Sequence, residues 1–184
     1  MTIIKPIIFQ QFDELIFGFN TKIGNDRTAP YFLNVSMSVG DDENRVKENR
    51  ELFFNEIGLT TNSVVFQKQV HGDAVTFVEQ PGFCGESDAM ITDKTGLGIA
   101  ISTGDCTAVF IYDKENKVIA GVHAGWRGTE KKILEKTLNK LMKKYKSSPA
   151  NLFVYLAPSI SQINYEVGEE VAALFDDKYL QPLN

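Results

Sequence analysis

The stretch from Ala108 to Val122 reads AVFIYDKENKVIAGV, two apolar runs separated by a charged turn. Both runs are rich in β-branched and aromatic residues, which pack well on the pleated surface of a strand. Further runs of this kind lie at residues 63–70, 74–78, 89–92, 97–103 and 152–156. This density of strand patterns predicts a substantial sheet in the middle of the chain.

Helical patterns lie on both sides of these strands. Between Asp42 and Leu59 the apolar residues fall on one helical face, with Asp41 or Asp42 available as N-cap and Gly58 as the C-terminal stop. A lysine-rich helix is predicted from Lys131 to Lys146, where apolar residues recur at helical spacing. Its charged face is expected to be solvated rather than to bind a partner.

The two ends of the chain carry shorter elements. Residues 7–12 and 15–22 read as the strands of an N-terminal hairpin, followed by a polar loop at 24–26. A short amphipathic helix that includes Val171 lies near the C-terminal end. Strands in the middle and helices around them predict an α+β or mixed α/β fold, a single domain with a central mixed sheet flanked by helices.

Composition and charge narrow the class of protein. The chain has 184 residues, 43% of them hydrophobic, which suits one domain with a sizeable core. Its 19 basic and 24 acidic residues leave a net charge of −5, which disfavours binding to nucleic-acid phosphates. Apolar runs fall short of the roughly 18 residues of a membrane span, and Lys5 and Asp13 interrupt the stretch that a signal peptide needs. We expect a cytoplasmic protein that binds neither nucleic acid nor membrane.

Three residues with metal-binding side chains lie where predicted strands meet turns. His71 and His123 are the only histidines of the chain, and Cys106 is one of two cysteines. Two neutral imidazoles and one thiolate can hold zinc and leave a fourth position open, as in catalytic zinc sites. The residues alone leave a second interpretation open, in which the histidines are ordinary core residues and the cysteine is simply buried. The other cysteine, Cys84, lies in a glycine-rich turn and is read as a loop thiol.

Several charged residues are candidates for binding substrate or moving protons. Arg127 precedes a predicted helix start at Thr129, where a guanidinium and amide donors can hold an anion; a structural ion pair is the alternative. Arg50 is a second candidate anion holder, unless it is a solvated charge. Three carboxylates near the strand ends could orient a histidine or accept a proton, and turn or cap roles are their alternative: Asp88, Asp93 and Asp105.

Six segments, in this order along the chain, resemble one known family. They are residues 36–50, 67–72 (QKQVHG), 86–92 (ESDAMIT), 103–106 (TGDC), 123–128 (HAGWRG) and 157–160 (APSI). The family is that of the laccase-domain polyphenol oxidoreductases, also named purine nucleoside phosphorylase and peptidoglycan editing factor. The resemblance spans almost all of residues 1–184 and implies a single-domain α/β fold. It also implies a zinc site whose ligands match His71, Cys106 and His123.

The resemblance implies phosphorolysis of adenosine, inosine, guanosine and methylthioadenosine, together with deamination of adenosine. Purine nucleosides and phosphate are then the expected substrates, contacted by Arg50, Gln69 and Arg127. For deamination, zinc would lower the pKa of a bound water that attacks the purine C6. For phosphorolysis, phosphate would attack the ribose C1′, held by Arg127 or Arg50.

Three other functions remain open. The older family name implies copper-dependent oxidation of phenols, but a laccase needs far more histidines than two; a single copper could bind the trio with Met90 as axial ligand. A peptidoglycan-precursor editing hydrolase would remove a misplaced amino acid from a nucleotide-linked muramyl substrate. Family members usually continue past residues 166–168 into a further strand-bearing segment that this chain apparently lacks, so a catalytically incomplete binding protein is the third.

Overall fold

The computed structural model describes residues 1–24 and 28–181. This part of the chain contains ten strands and five α-helices. Asn25 and Asp26 of the predicted polar loop lie outside the described residues. The strands are β1 Ile3–Ile4, β2 Phe19–Asn20, β3 Val64–Lys68, β4 Val75–Phe77, β5 Gly82–Glu86, β6 Ala89–Thr92, β7 Gly98–Ile99, β8 Thr107–Asp113, β9 Val118–Ala124 and β10 Leu152–Leu156. The α-helices are α1 Ile7–Gln10, α2 Glu43–Glu56, α3 Trp126–Glu130, α4 Ile133–Tyr145 and α5 Glu169–Ala172.

Five of the strands form a central sheet in the order β10-β8-β9-β6-β4. Strand β8 is antiparallel to both β10 and β9, and β9 is antiparallel to β6, whereas β6 and β4 run parallel. The sheet is therefore mixed. A second sheet consists of three parallel strands in the order β5-β3-β7, and β1 pairs with β2.

Successive side chains of β3 point to opposite faces of its sheet, so that β3 contacts a different layer on each side. Val65 packs with Met90 of β6 between the two larger sheets, whereas Val64 packs with Phe54 of α2 on the outer side. Helix α4 covers the other face of the central sheet, where Ile133 joins the main apolar core. The layers thus run α4, central sheet, three-stranded sheet, α2. This confirms the predicted mixed α/β class with sheets flanked by helices.

The two predicted long helices are confirmed. Helix α2 begins after Asp42, whose carboxylate accepts a hydrogen bond from the backbone N–H of Arg45 at 3.0 Å, and Gly58 follows the helix with a φ of +79°. Helix α4 presents its apolar stripe to the central sheet, as its 3.6-residue pattern predicts. No helix within residues 1–24 and 28–181 is long and apolar enough to cross a membrane.

The lysine face of α4 is more than a solvated surface. Its lysines at successive turns lie along β4, the edge strand of the central sheet: Lys136 pairs with Asp73, the Nζ of Lys140 donates to the carbonyl oxygen of Val75 at 2.7 Å, and the Nζ of Lys144 lies 4.0 Å from the ring centroid of Phe77. These contacts cover an edge that would otherwise be open to another strand.

The predicted N-terminal hairpin is wrong. Residues 7–10 form α1, and only the dipeptides of β1 and β2 pair with each other. The reason lies in the aromatic side chains, because Phe12 lies 4.7 Å from Phe153 and Phe17 lies 4.9 Å from Phe110 between ring centroids. Packing of these rings onto the central sheet outweighs the local strand propensity of the segment.

Two further expectations need correction. Residues 82–86, read as a turn because of their glycines, form strand β5, so Cys84 is a strand residue whose Sγ lies 3.7 Å from the Sδ of Met90. Of the predicted strand 97–103, only Gly98–Ile99 pairs in a sheet.

Met90, considered above as an axial copper ligand, is fully buried in the apolar cluster between the sheets. Packing in this cluster explains its position without a role on a metal.

The N-terminal segment is also tied down by a charge contact. Glu14 accepts hydrogen bonds from Lys117 and from the hydroxyl of Tyr112 at 2.7 Å, and these bonds lower the pKa of its carboxyl from the usual 4.5 to about 2. A depressed folded-state pKa stabilises the fold above pH about 4.5, and the contribution is lost as the pH falls toward 2. Glu14→Gln should therefore lower the free energy of unfolding near pH 7. The difference in this free energy between the variant and the wild type should become smaller as the pH falls. Urea unfolding at several pH values measures this, and Glu51→Gln on α2 is the control.

Candidate metal centre

The ends of strands from both large sheets meet at one place. His123 lies on β9 opposite Ala108 of β8, and Cys106 comes directly before β8. His71 follows β3 of the three-stranded sheet by a short turn. The possible ligand atoms of His71, Cys106 and His123 all lie within 4.8 Å of one another, and the two imidazole centroids are 4.8 Å apart. Residues distant in sequence thus form one compact group of two imidazoles and a thiol.

Asp88 organises both histidines of this group. Its carboxylate is fully buried and accepts backbone N–H bonds from Val70 at 3.1 Å, His71 at 3.0 Å and Gly72 at 2.8 Å. It also lies 2.8 Å from the Nδ1 of His123. Burial by itself raises the pKa of this carboxyl, but the hydrogen bonds it accepts outweigh burial and hold the pKa below its usual range. Asp88 is therefore a carboxylate in the folded protein.

This contact determines the tautomer of His123. A carboxylate can only accept, so Nδ1 carries the proton and the lone pair resides on Nε2. The same carboxylate also holds the backbone of His71, whose φ of +57° is unusual for a residue with a side chain. Of the three carboxylates singled out in the sequence, Asp88 is the one that orients a histidine.

The other two carboxylates have different roles. Asp93 forms an ion pair with Lys94 at 3.2 Å. Asp105 lies beside Cys106, and its backbone carbonyl accepts a hydrogen bond from the N–H of Ile160 at 3.0 Å. Burial raises the pKa of the Cys106 thiol, and the charges of Asp105 and Asp88 raise it further. A cation beside the sulfur would offset these effects and favour the thiolate.

Gly125 keeps the space between the three side chains open. A Cβ atom at this position would lie 3.1 Å from Cδ2 of His71, 3.2 Å from Sγ of Cys106 and 3.8 Å from Cε1 of His123. An ion with bonds of about 2.0 Å to nitrogen and 2.3 Å to sulfur joins donor atoms about 3.3 to 4 Å apart. The donor types and the approach of all three side chains to Gly125 therefore suit a metal ion with three protein ligands, which would draw donor atoms up to 4.8 Å apart closer together.

Gly125→Ala tests this space without removing a ligand. The backbone of Gly125 has a φ of −70°, which alanine adopts freely, so the effect should come from the new methyl group alone. We expect the methyl group to displace His71 or Cys106 by a few tenths of an ångström and to weaken metal affinity about tenfold. Competition with a chromogenic chelator measures the affinity. Gly104→Ala is the matched control, because a Cβ there meets nothing within 4 Å, and equal affinities of the two variants would contradict the prediction.

Gln69 and Arg50, two predicted substrate contacts, are engaged in the fold. The amide of Gln69 donates to the carbonyl of Ser102 at 2.6 Å and accepts from its N–H at 2.8 Å, which ties the end of β3 to the loop before Cys106. The Nε of Arg50 donates to the carbonyl of Val35 at 2.7 Å, and its guanidinium lies 4.2 Å from the ring centroid of Phe66. Arg50 is therefore half-buried rather than a solvated charge, and burial lowers its pKa.

Arg127, the third predicted substrate contact, lies on α3 just beyond His123 and Gly125. Its guanidinium is exposed and stacks 4.1 Å from the ring centroid of Trp126. The pKa of Tyr165 is raised, first by burial and then by the charge of Cys106, whereas the charge of Arg127 lowers it.

Comparisons with known proteins identify the family of this chain. A family model described as multi-copper polyphenol oxidoreductase laccase matches residues 16–182. A purine nucleoside phosphorylase of Corynebacterium glutamicum is 34% identical over 159 residues, which is 84% of this chain and 64% of that protein. The purine nucleoside phosphorylase YfiH of Escherichia coli is 32% identical over 158 residues, 85% of this chain and 63% of that one. The chain thus spans a little under two thirds of the length of these relatives.

Solved structures share the same fold. The crystal structure of the Bacillus licheniformis hypothetical protein YfiH superimposes with a TM-score of 0.82 at 27% identity and covers 85% of this chain and 63% of that one. The crystal structure of YlmD from Geobacillus stearothermophilus gives a TM-score of 0.81 at 26% identity, with 85% and 62% coverage.

Proposed function

Because the chain belongs to the multi-copper polyphenol oxidoreductase laccase family, we propose that it is a zinc-dependent purine nucleoside phosphorylase acting on adenosine, inosine, guanosine and methylthioadenosine. The names of its relatives in Corynebacterium glutamicum and Escherichia coli support the reaction type. The single observation that carries the proposal is the convergence of His71, Cys106 and His123.

The trio is the proposed ligand set. His123 presents Nε2 because Asp88 holds its Nδ1 proton, and Cys106 contributes the one anionic donor. When bound there, zinc supplies a Lewis acid beside the substrate. Two imidazoles and a thiolate suit both zinc and copper. Copper sites of this kind commonly add an axial methionine, and the candidate for that role, Met90, is enclosed in the apolar cluster between the sheets. We therefore propose zinc.

Arg127 is the proposed phosphate holder. Its guanidinium is exposed, and stacking on Trp126 restricts its orientation, so less side-chain entropy is lost on binding an anion. The phosphate oxygen would form a bond to the ribose C1′ while the bond from C1′ to the purine nitrogen breaks, with the electron pair leaving on the purine. Arg127 would position the nucleophile and offset its charge.

The remaining site predictions follow from the same proposal. Arg50 and Gln69 stay predictions as substrate contacts; the hydrogen bonds of Gln69 to Ser102 suggest that it acts by fixing the loop before Cys106. Adenosine deamination at the purine C6 is a second proposed activity of the same site. A cytoplasmic location and the absence of nucleic-acid binding stay predictions of the sequence.

Release of free base from inosine with and without phosphate tests the reaction. Wild-type protein of measured metal content should release hypoxanthine only when phosphate is present, with one ribose 1-phosphate formed for each base. Base release without phosphate would instead indicate a hydrolase. Turnover of neither inosine nor adenosine would contradict the proposal and favour an editing hydrolase or a binding protein. Conversion of adenosine to inosine, followed separately, tests the deaminase activity.

Arg127→Met tests the phosphate holder. Loss of the guanidinium should raise the KM for phosphate about tenfold or more, with a smaller change in the KM for inosine. Arg45→Met is the control, because Arg45 is exposed on α2 and pairs with Glu48 at 3.1 Å. Equal phosphate KM values for the two variants would remove Arg127 from the role.

A further inference from the structure

The two edges of the central sheet differ in how they are protected. Strand β4 at one edge is covered by lysines of α4, whereas β10 at the other edge is a run of five apolar residues, Leu152–Leu156. The register of β10 with β8 is continuous over this run, so the strand has no bulge. Charged side chains, prolines and bulges are the features that usually prevent an edge strand from pairing with another chain. Strand β10 has none of them.

The edges of the three-stranded sheet do carry such features. Strand β5 has an irregular register with β3 between Phe66 and Lys68, and it ends at the charged residue Glu86. Strand β7 at the other edge is only two residues long, Gly98–Ile99. Of the edges of the two larger sheets in the described chain, β10 is therefore the one suited to pair with a further strand.

The bonds between β10 and β8 show which backbone groups point away from the sheet. The N–H of Lys114 donates to the carbonyl of Asn151 at 3.1 Å, before β10 begins. The N–H of Ala157 donates to the carbonyl of Ala108 at 2.9 Å, just after β10 ends. Because the direction alternates along an antiparallel strand, the odd-numbered residues between them face β8 and the even-numbered residues face outward.

The outward groups of β10 are Leu152, Val154 and Leu156. The N–H of Leu152 is engaged, since it donates back to the carbonyl of Pro149. Within residues 1–24 and 28–181, no hydrogen bond engages the N–H of Val154 or of Leu156. The edge thus presents two unpaired donors and the outward carbonyls beside them.

We propose that β10 pairs antiparallel with the β10 of a second copy of this chain, across a twofold axis at Val154. The N–H of Val154 would donate to the carbonyl of Val154 in the second copy, and the N–H of Leu156 to the carbonyl of Leu152 there. The symmetry repeats both bonds in the other direction. This register uses both unpaired donors of each strand, pairs all five residues and joins the two central sheets into one.

The side chains of β10 suit pairing with themselves. Leu156 keeps 62% of its surface exposed, and it would lie directly opposite Leu152 of the second copy. On the other face of the sheet, Phe153 would lie opposite Tyr155. An apolar groove of about 230 Å³, lined by Leu156 and Leu134 among others, adjoins the same edge. Every cross-strand pair is apolar, so the contact removes exposed apolar surface from water and buries no charge.

The length of β10 sets the expected strength of the contact. Five residues span about 17 Å, and a strand pair of this length alone covers less than the roughly 800 Å² per partner of a standard interface. The dimer should therefore be reversible, with a Kd on the order of 10 μM.

Sedimentation velocity from about 1 to about 200 μM, a range that brackets the expected Kd, measures the association. Hydrogen exchange followed by NMR measures the register, because the amides of Val154 and Leu156 should exchange fast in the monomer. Their exchange should slow as the concentration rises, while the amide of Tyr155, which faces β8, stays protected at all concentrations.

Leu156→Lys tests the edge with a side chain that blocks pairing. A lysine in the middle of the contact would have to leave water, so the Kd should rise at least about tenfold. The fold should survive, because Leu156 is mostly exposed, and thermal melting checks this. Leu174→Lys is the matched control: Leu174 is 50% exposed and lies outside β10, so its Kd should equal that of the wild type.

Three results would overturn the inference. One is a protein that stays monomeric over the whole range with fast exchange at Val154 and Leu156. Another is a monomer in which these two amides are protected, which would show that another part of the chain covers β10. The third is a dimer that Leu156→Lys leaves as stable as Leu174→Lys does, which would place the contact elsewhere on the surface.

Discussion

Cys106→Ala is expected to remove the bound metal ion and to lower phosphate-dependent base release by at least about 100-fold. The substitution deletes the one anionic donor of the trio and leaves two imidazoles, which hold a divalent ion far more weakly. The fold should survive, because Cys106 precedes β8 and lies outside the three apolar core clusters. Metal content per chain, thermal melting and hypoxanthine release from inosine measure the three effects.

Cys84→Ala is the matched control for this variant. Cys84 packs against Met90 in the apolar cluster between the sheets, so its loss should lower stability slightly and leave metal content and activity unchanged. A Cys106→Ala protein that retains one metal ion per chain would contradict the ligand assignment. A protein that loses the metal but keeps full base release would separate the reaction from the metal centre.

Asp88→Asn is expected to affect both stability and metal binding. The carboxylate accepts three backbone N–H bonds and holds the Nδ1 of His123, whereas an amide turns one of these acceptors into a donor facing a donor. We expect a loss of about 3 kcal/mol in the free energy of unfolding, the magnitude for breaking a buried charged network. Metal affinity should fall about 10- to 100-fold, as for other partners that orient a histidine ligand.

Chemical denaturation and chelator competition measure these two losses separately. Asp93→Asn is the control, because Asp93 pairs with Lys94 at 3.2 Å and holds neither histidine. A stability loss without a change in metal affinity would make Asp88 a purely structural anchor. Wild-type values for both quantities would show that the hydrogen-bond network carries little energy.

Prediction from the sequence succeeded where one pattern controls one element. The runs at 89–92 and 152–156 match β6 and β10 residue for residue, and the cap at Asp42 with the glycine at 58 defines α2. It failed where tertiary packing overrides local propensity, as in the N-terminal segment, where Phe12 and Phe17 pack onto the central sheet. It also failed at β5, where Gly82 and Gly85 adopt positive φ within a paired strand.

Prediction of the site residues from the sequence likewise succeeded in part. The residue types of the trio were visible in the sequence, but their convergence depends on which strand ends meet, and two sheets contribute to it. The choice of Asp88 over its neighbouring carboxylates depends on its burial and on the backbone donors that face it.

The most direct test of the metal-dependent phosphorylase is one preparation in which bound metal and base release are measured together. We expect one zinc ion per chain and release of hypoxanthine from inosine that requires phosphate. Release should fall in proportion to the metal removed by a chelator and return when zinc is restored. A chain that binds one ion but releases no base, or that releases base at the same rate without metal, would contradict the proposed metal-dependent activity.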